Sequence, residues 1–430
     1  MAKGDLSMLR KSSCIQKIDI LDRIVLAGVL LKLFIGDFLG LGKGLNLLLL
    51  GLMFLILMSE RRNIPRYFLV GFPALFIPLL YGIFSNQDLG NAVGNFIRIV
   101  QVLIYVLYAS SVMARYHSIL SDIILESASL FNIVLILNSI VMIVQYAFPG
   151  ILVASHSGSE VMQVDLISGL FAYGSTHVVA LFTVFVVVLN IFARMSGVRS
   201  WYTSIVYQVV LATYSVLFAE FNDNKALWFF LPLVLIAIGS VYLWLNRRSL
   251  GMKFLACVVF VVIFALLAYW VFPCVRAFVD DNVIKSIQVA IRAFSPTAYA
   301  NGSDERFKII AYAFCLPEFW MLGDGIGAAG LYEASYRDFP HFGQTDFGSI
   351  GILCGFWYYL IIVLFFSRAV MPECGKNKFI QPLVTLLVIC ISLYTQPFTQ
   401  VRIAVPAIML CAVFVQSLNL LFEQVEVSTR

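Results

Sequence analysis

The chain has 430 residues, of which 61% are hydrophobic and 12% are charged, and its mean hydropathy is +0.93. Soluble domains are about half apolar and about a quarter charged, so this composition excludes an ordinary soluble protein. The net charge of +5 does not indicate nucleic-acid binding, because it follows from which loops are basic. The eight cysteines are scattered without a CxxC pair, a distribution that disfavours a metal site.

Long apolar segments predict an all-α polytopic membrane protein. A spanning helix needs roughly 20 apolar residues, and about 12 such segments follow one another along this chain. The predicted spans are 20–39, 45–58, 67–84, 92–114, 128–148, 170–193, 203–219, 226–245, 254–272, 349–366, 379–394 and 403–422.

The distribution of lysine and arginine among the loops sets the predicted orientation. The N-terminal segment and every second loop are basic, as at 61–66, 194–199 and 247–253, whereas the loops between them carry few cations. Short basic loops stay on the cytoplasmic side of a membrane. We therefore predict that both termini lie in the cytoplasm and that the long segment 273–348 lies outside.

Three parts follow from this layout: residues 1–272 with the first nine spans, the outer segment 273–348, and residues 349–430 with the last three spans and a cytoplasmic tail. At about 75 residues, the outer segment is too long to be only a connector. It contains apolar residues at helical spacing near 284–294, typical of a helix lying on the membrane surface. A second helix is predicted over 306–316, capped by Ser303 or Asp304 and ended by Pro317.

Three cations are candidates for binding an anion. Arg98 lies within the fourth span, where an arginine costs about 2.5–3.5 kcal/mol unless it is paired or hydrated, so we expect it to face an outward cavity; structural pairing is the alternative. Lys225 stands at the outer start of the eighth span, where a helix N-terminus favours anions; a solvated charge is the alternative. Arg306 has the planar donor geometry that grips phosphate, and a salt bridge to its acidic neighbours is the alternative.

Two histidines and an aspartate are candidates for other roles. His341 is the best general-base candidate, because the unperturbed pKa of histidine lies near neutrality. Asp346, close behind it in sequence, is expected to orient His341 or to bind substrate hydroxyls. His177, at the start of the sixth span, is a weaker substrate-binding candidate, since a lone histidine at a helix end is usually structural. Lys32 and Asp37 in the first span are interpreted as structural.

The order of these residues resembles the C-terminal signature of the O-antigen polymerase (Wzy-type) and O-antigen ligase superfamily. The shared run is an arginine at 306, Leu-Pro at 316–317, the turn GDGIG at 323–327, a histidine at 341, an aspartate at 346 and the helix start GILCGFW at 351–357. On its own the GDGIG turn is more typical of a plain turn than of an anion-binding loop.

Two further stretches, SGLFAYGSTHVVALF at 168–182 and AEFNDNKALW at 219–228, resemble the starts of spans in the same superfamily. Thr176 and His177 stand where Pro-Asn is common there, and Asn224 and Lys225 replace Ser-Arg. The usual His-Asn pair is His-Phe at 341–342, which favours the polymerase over the ligase.

The resemblance implies a GT-C-like glycosyltransferase of the bacterial inner membrane, with its active site facing the periplasm and no metal or other cofactor. Its substrates would be undecaprenyl-diphosphate-linked oligosaccharides, one giving its glycan to a sugar hydroxyl of another. A chain-length regulator protein is a further partner that it allows. Arg98, Lys225 and Arg306 would bind diphosphate, His341 would activate the hydroxyl, and aromatic residues such as Trp320 and Tyr336 would stack on sugars.

Two other functions stay open on the sequence. The same superfamily implies, as one alternative, a ligase that transfers the glycan to lipid A-core or to protein. The other is a transporter of the lipid-linked oligosaccharide. A transporter is expected to show inverted repeats and broken helices in both halves of the chain, and neither is evident in the sequence.

Overall fold

The structure, a computed structural model, describes residues 17–59, 68, 72–148, 167–171, 176–221, 225–245, 269–270, 272–273, 276–277, 280, 303–333, 335–337, 339–340, 342–371 and 379–429. Its α-helices are α1 (Ile20–Leu31), α2 (Gly42–Ser59), α3 (Ile77–Phe84), α4 (Leu89–Arg115), α5 (Leu120–Ala147), α6 (Thr176–Met195), α7 (Ile205–Phe221), α8 (Lys225–Leu245), α9 (Ser303–Cys315), α10 (Asp346–Cys354), α11 (Phe356–Ala369), α12 (Ile380–Tyr394) and α13 (Val401–Thr429). Two short strands, β1 (Ser335–Tyr336) and β2 (Phe339–Pro340), pair antiparallel.

The helices confirm a helical membrane protein. Among the described residues, five helices are long and apolar enough to cross a membrane, and further apolar helices of 10–17 residues accompany them. The five are Gly42–Ser59, Leu89–Arg115, His117–Ala147, Thr176–Met195 and Val401–Glu423. The count of twelve spans and the GT-C arrangement stay predictions, and most of the predicted ninth span, 254–272, lies outside the described residues.

Helix α6 forms the centre of the bundle. Every residue from 178 to 190 is buried, as expected for a segment such as VVALFTVFVVVLN that is apolar on all sides. Helix α13 packs along it, and α5 and α8 contact it as well. One polar contact interrupts this apolar core: Asn132 and Asn190 exchange hydrogen bonds of 2.8 and 3.0 Å between α5 and α6. Both amides are thereby satisfied, which removes the cost of burying them.

A buried carboxylate ties α1 to α4 at the end of the bundle that we predict to be cytoplasmic. Asp22 is 1% exposed. It accepts hydrogen bonds from the Tyr108 hydroxyl (2.7 Å), the Tyr116 hydroxyl (2.8 Å) and Nη2 of Arg115 (2.9 Å). We call these four residues the Asp22 cluster. Its negative charge is neutralised by one arginine and its oxygens are saturated by donors.

The predicted tenth span is a broken helix. Helix α10 ends at Cys354, Gly355 has a φ of 86°, and α11 begins at Phe356. A side chain at Gly355 would meet the carbonyl oxygen of Met321 at 2.2 Å. The outer segment therefore passes close against the break, and only glycine fits both the backbone conformation and the space.

The GDGIG turn closes this break. The backbone N–H groups of Asp324 and Gly325 donate to the carbonyl oxygens of Ile352 and Leu353, each at 2.8 Å. These carbonyls stand at the end of α10, where a helix leaves acceptors unsatisfied. On its other side, Gly327 donates its N–H to the Gln87 side chain at 3.0 Å. The turn is thus a structural element, and these three amides are already used.

Helix α1 is shorter than the predicted first span and ends in a wider turn. A π-helical segment, Lys32–Gly36, follows it directly. The ammonium of Lys32 lies 3.0 Å from the carboxylate of Asp37, so this pair joins the two ends of that segment. Such π-helical turns often occur at functional sites.

Candidate functional site

The connection between α12 and α13, residues 395–400, organises the candidate site, and we call it the 395–400 loop. Asp346 fixes the position of this loop. The carboxylate of Asp346 accepts hydrogen bonds from the backbone N–H of Phe398 and, at 2.6 Å, from the Thr399 hydroxyl. Its own backbone N–H donates to the carbonyl oxygen of Thr395 at 3.0 Å. The start of α10 and this loop therefore form one rigid unit.

The environment of Asp346 is dry and lacks a described cation partner. Its side chain is 0% exposed. Burial raises the pKa of Asp346 to about 7, and the hydrogen bonds from the 395–400 loop oppose this rise without cancelling it. Both carboxylate oxygens of Asp346 accept hydrogen bonds from the 395–400 loop, and its predicted catalytic role stays a prediction. The contacts support a role for Asp346 in positioning the loop.

Tyr332 connects the outer segment to the same loop. Its hydroxyl donates a hydrogen bond of 2.6 Å to the carbonyl oxygen of Thr399. The guanidinium of Arg98, which comes from α4, lies over the Tyr332 ring with its Cζ 4.2 Å from the ring centroid. A cation over an aromatic face is stabilised by the ring quadrupole without being neutralised. Arg98 is thus held in place while its positive charge stays available to a ligand.

A cavity of about 550 Å³ lies between the 395–400 loop, the turn after α1 and helix α4. Its described lining includes three cations, Lys32, Lys43 and Arg402, and one carboxylate, Asp37. The remaining lining residues are Gly42, Asn46, Gln101, Tyr332, Gly343, Gln396, Gln400 and Val401.

The chemistry of this cavity suits an anionic, hydroxyl-rich ligand. Lys32 is paired with Asp37, so the described lining keeps a net excess of positive charge. The amide side chains of Asn46, Gln101 and Gln396 both donate and accept hydrogen bonds, as recognition of sugar hydroxyls requires. Arg402 is held in place by a hydrogen bond of 2.8 Å from its Nε to Gln400.

A second cationic centre lies beside Tyr394, the residue that precedes the 395–400 loop. Arg306 in α9 places its Cζ 4.6 Å from the Tyr394 ring centroid, and its Nη2 lies 3.0 Å from Nε2 of His177. The His177 ring meets Tyr394 edge to face at 5.7 Å. Since a guanidinium only donates, Nε2 of His177 must be the acceptor, so the neutral ring carries its proton on Nδ1. Within the described part of the chain, the buried Nε of Arg306 has no hydrogen-bond partner.

The structure thus brings several predicted residues to one loop. Arg98 reaches it through Tyr332, Arg306 and His177 reach it through Tyr394, and Asp346 binds it directly. His341 lies outside the described residues. The sequence position of Lys225 is the first residue of α8, but its side chain is also outside the described part.

The two aromatic candidates have other contacts. The indole N–H of Trp320 donates to the Phe314 carbonyl at 3.1 Å, and its ring packs on Phe356. The Tyr336 hydroxyl donates to Asp324 at 2.9 Å, and burial and that hydrogen bond raise the pKa of Tyr336 to about 12. Sugar stacking by either ring stays a prediction.

Sequence reasoning missed Arg402 and the glutamines of the 395–400 loop. A signal is present for Arg402, because it is the second residue of the apolar helix α13 and the lone cation within it, the same pattern that makes Arg98 a candidate. The segment TQPFTQ at 395–400 is likewise a polar run between two apolar helices. Lys32 pairs with Asp37, in agreement with the structural role expected for them, yet both residues also line the cavity.

A scan against protein-family models finds no match to this chain, and a search among curated proteins finds no relative.

Proposed function

We propose that this protein is a membrane glycosyltransferase that polymerises surface polysaccharide from polyprenyl-diphosphate-linked oligosaccharides. The observation that carries the proposal is the cavity beside the 395–400 loop, with its excess of cations and its row of amide side chains. A lipid-linked donor presents a diphosphate and sugar hydroxyls, which are the two chemistries that this lining complements. The membrane character of the helices fits a substrate with a polyprenyl tail.

The reaction needs a stabilised leaving group and an activated hydroxyl. The hydroxyl oxygen of the acceptor sugar attacks the anomeric carbon of the donor, and the bond from that carbon to the diphosphate oxygen breaks. The electron pair leaves with the diphosphate, whose developing charge is stabilised by fixed cations. The proton of the attacking hydroxyl passes to His341, the general-base candidate of the sequence.

The cations divide into two groups in this proposal. Arg402 and Lys43, which line the cavity, bind the diphosphate of the donor there, and Arg98 adds positive charge from its position over the lining residue Tyr332. Arg306, which contacts Tyr394 and His177, is assigned to the reacting end of the donor, and Lys225 keeps the diphosphate-binding role that the sequence resemblance implies. Asp346 positions the loop between them. The assignment rests on the contacts of the described residues and on the order of His341 and Lys225 in the sequence.

The broken helix at Gly355 bears on the transporter alternative. In transporters, broken helices offer free carbonyl groups or helix ends to the cargo. Here two of the carbonyl groups at the break already accept hydrogen bonds from the GDGIG turn. These contacts favour a structural role for the break over a role as a transport site. The ligase alternative shares the same donor chemistry and is separated from the polymerase by its product.

The test is the Arg402→Gln variant, expressed in a strain that lacks its own copy and makes the matching oligosaccharide. We expect roughly 100-fold less long polymer, the loss typical for removal of one charge-stabilising group, while single repeats still reach the lipid A-core. The readout is the polysaccharide ladder on a gel. Arg368→Gln, an exposed arginine bound to Gln381, is the matched control. A normal ladder in Arg402→Gln contradicts the proposal, and loss of single-repeat attachment as well indicates the ligase.

A further inference from the structure

A second cavity, of about 740 Å³, lies between the end of α6 and the start of α7, at the end of the bundle opposite to the 395–400 loop. Two arginines line it, Arg194 and Arg199, together with Trp201 and Ser204. The sequence places this loop in the cytoplasm by its charge. Neither guanidinium is paired with a carboxylate within the described part of the chain.

Hydrogen bonds hold the backbone that surrounds this cavity. Helix α6 ends in a turn in which Val198 donates its N–H to Ala193 at 3.0 Å, and Gly197 has a φ of 80°. The Thr203 hydroxyl accepts from the backbone N–H of Ser200 at 3.0 Å and closes the loop from the other side. Because this backbone is already ordered, ligand binding has to immobilise mainly the two arginine side chains.

The rim of the cavity continues into an apolar surface. At the start of α7, four residues on neighbouring positions of the helix are strongly exposed: Ile205 (65%), Val206 (75%), Val209 (59%) and Val210 (58%). Trp201 is 44% exposed beside them and packs edge to face on Tyr207 at 5.0 Å. Tryptophan collects at the boundary between headgroups and acyl chains.

We infer that this cavity binds the headgroup of an anionic glycerophospholipid, with the two arginines on the phosphate and the acyl chains along the exposed face of α7. The shared chemistry is that of a phosphate anion, and a free phosphate would satisfy the arginines alone. The apolar strip next to them is what selects a lipid. The cytoplasmic leaflet carries negative lipids and attracts basic groups placed at its surface.

The experiment measures lipid binding by native mass spectrometry on the full chain in neutral detergent, titrated with phosphatidylglycerol or phosphatidylcholine. We expect preferential binding of phosphatidylglycerol. The Arg194→Gln/Arg199→Gln variant should bind it about 30-fold more weakly, and Arg199→Gln alone about fivefold, from the usual contribution of each basic residue near a membrane surface.

The matched control removes two other exposed arginines predicted on the same side, as Arg23→Gln/Arg368→Gln. The inference fails if this control loses as much affinity as the cavity variant, because general surface charge would then explain the binding. It also fails if phosphatidylcholine binds equally well. Inorganic phosphate is the third arm: if it displaces phosphatidylglycerol at comparable concentration, the site binds free phosphate and the lipid assignment is wrong. The single variant keeps the test valid should the double variant fold poorly.

Discussion

The two ends of the bundle use buried charge in opposite ways. In the Asp22 cluster, one carboxylate is surrounded by an arginine and two tyrosine hydroxyls. At the 395–400 loop, Arg98 and Arg306 lie on the faces of tyrosine rings, and neither forms a salt bridge with a carboxylate that the structure describes. In the first arrangement, the opposite charges pair with each other and hold α1 against α4. The second keeps positive charge fixed in position, which is what an anionic ligand requires.

The largest expected effect comes from breaking the Asp22 cluster. Asp22→Ala leaves Arg115 and two hydroxyls without their acceptor. The loss of one partner of a buried pair costs about 3–5 kcal/mol, and we expect roughly 3 kcal/mol because Arg115 keeps 17% exposure. Thermal unfolding in detergent measures it. Activity per folded molecule should be unchanged, and a selective loss of activity would show that the cluster is more than structural. Asp22→Asn keeps one of the two acceptor oxygens that the tyrosines use and replaces the other with an NH2 donor, so it should cost less than Asp22→Ala.

A smaller effect is expected from Arg306→Lys. Lysine keeps the charge but loses the planar donor fork and much of the contact with Tyr394. We expect about tenfold less polymer, equal to about 1.4 kcal/mol, with little change in melting temperature. Polymer ladders and unfolding curves on the same preparations separate the two effects. Full activity in the lysine variant would exclude a bidentate role for Arg306.

The smallest effect is expected for a change of a single pH unit, through the ionisation of Asp346. The pKa of Asp346 is raised to about 7 from an unfolded value of ~3.9, so the folded state holds its proton more tightly than the unfolded state. The stability of the protein should therefore be highest below pH ~4 for this group and fall as pH rises towards 7, by at most about 1.4 kcal/mol per pH unit.

Asp346→Asn removes the titrating group and should flatten this dependence between pH 5 and 8, measured by melting temperature in detergent. Asp22→Asn serves for comparison at the other end of the bundle. An unchanged slope in Asp346→Asn would mean that Asp346 is ionised throughout this range.

The sequence was informative where one residue contradicts its surroundings. A lone arginine in an apolar segment selected Arg98, and the helix predicted over 306–316 agrees with α9 at Ser303–Cys315. The surface helix predicted near 284–294 lies outside the described residues. The role of the 395–400 loop could not be predicted, because it depends on Asp346, 52 residues away from Phe398 in sequence. The break at Gly355 was also hidden, since the residues on both sides of it are apolar.

The break at Gly355 has a practical consequence for mapping the topology of this chain. Backbone N–H groups of the outer segment hydrogen-bond to the carbonyl groups at the end of α10. A change that moves this part of the outer segment therefore also breaks hydrogen bonds of α10. A reporter domain inserted within 321–327 would pull the turn away from Ile352 and Leu353 and expose their carbonyl groups to lipid. Such a fusion would report a damaged protein rather than the side on which its tag lies. Reporters are better fused after the end of α13, on the side that we predict to be cytoplasmic.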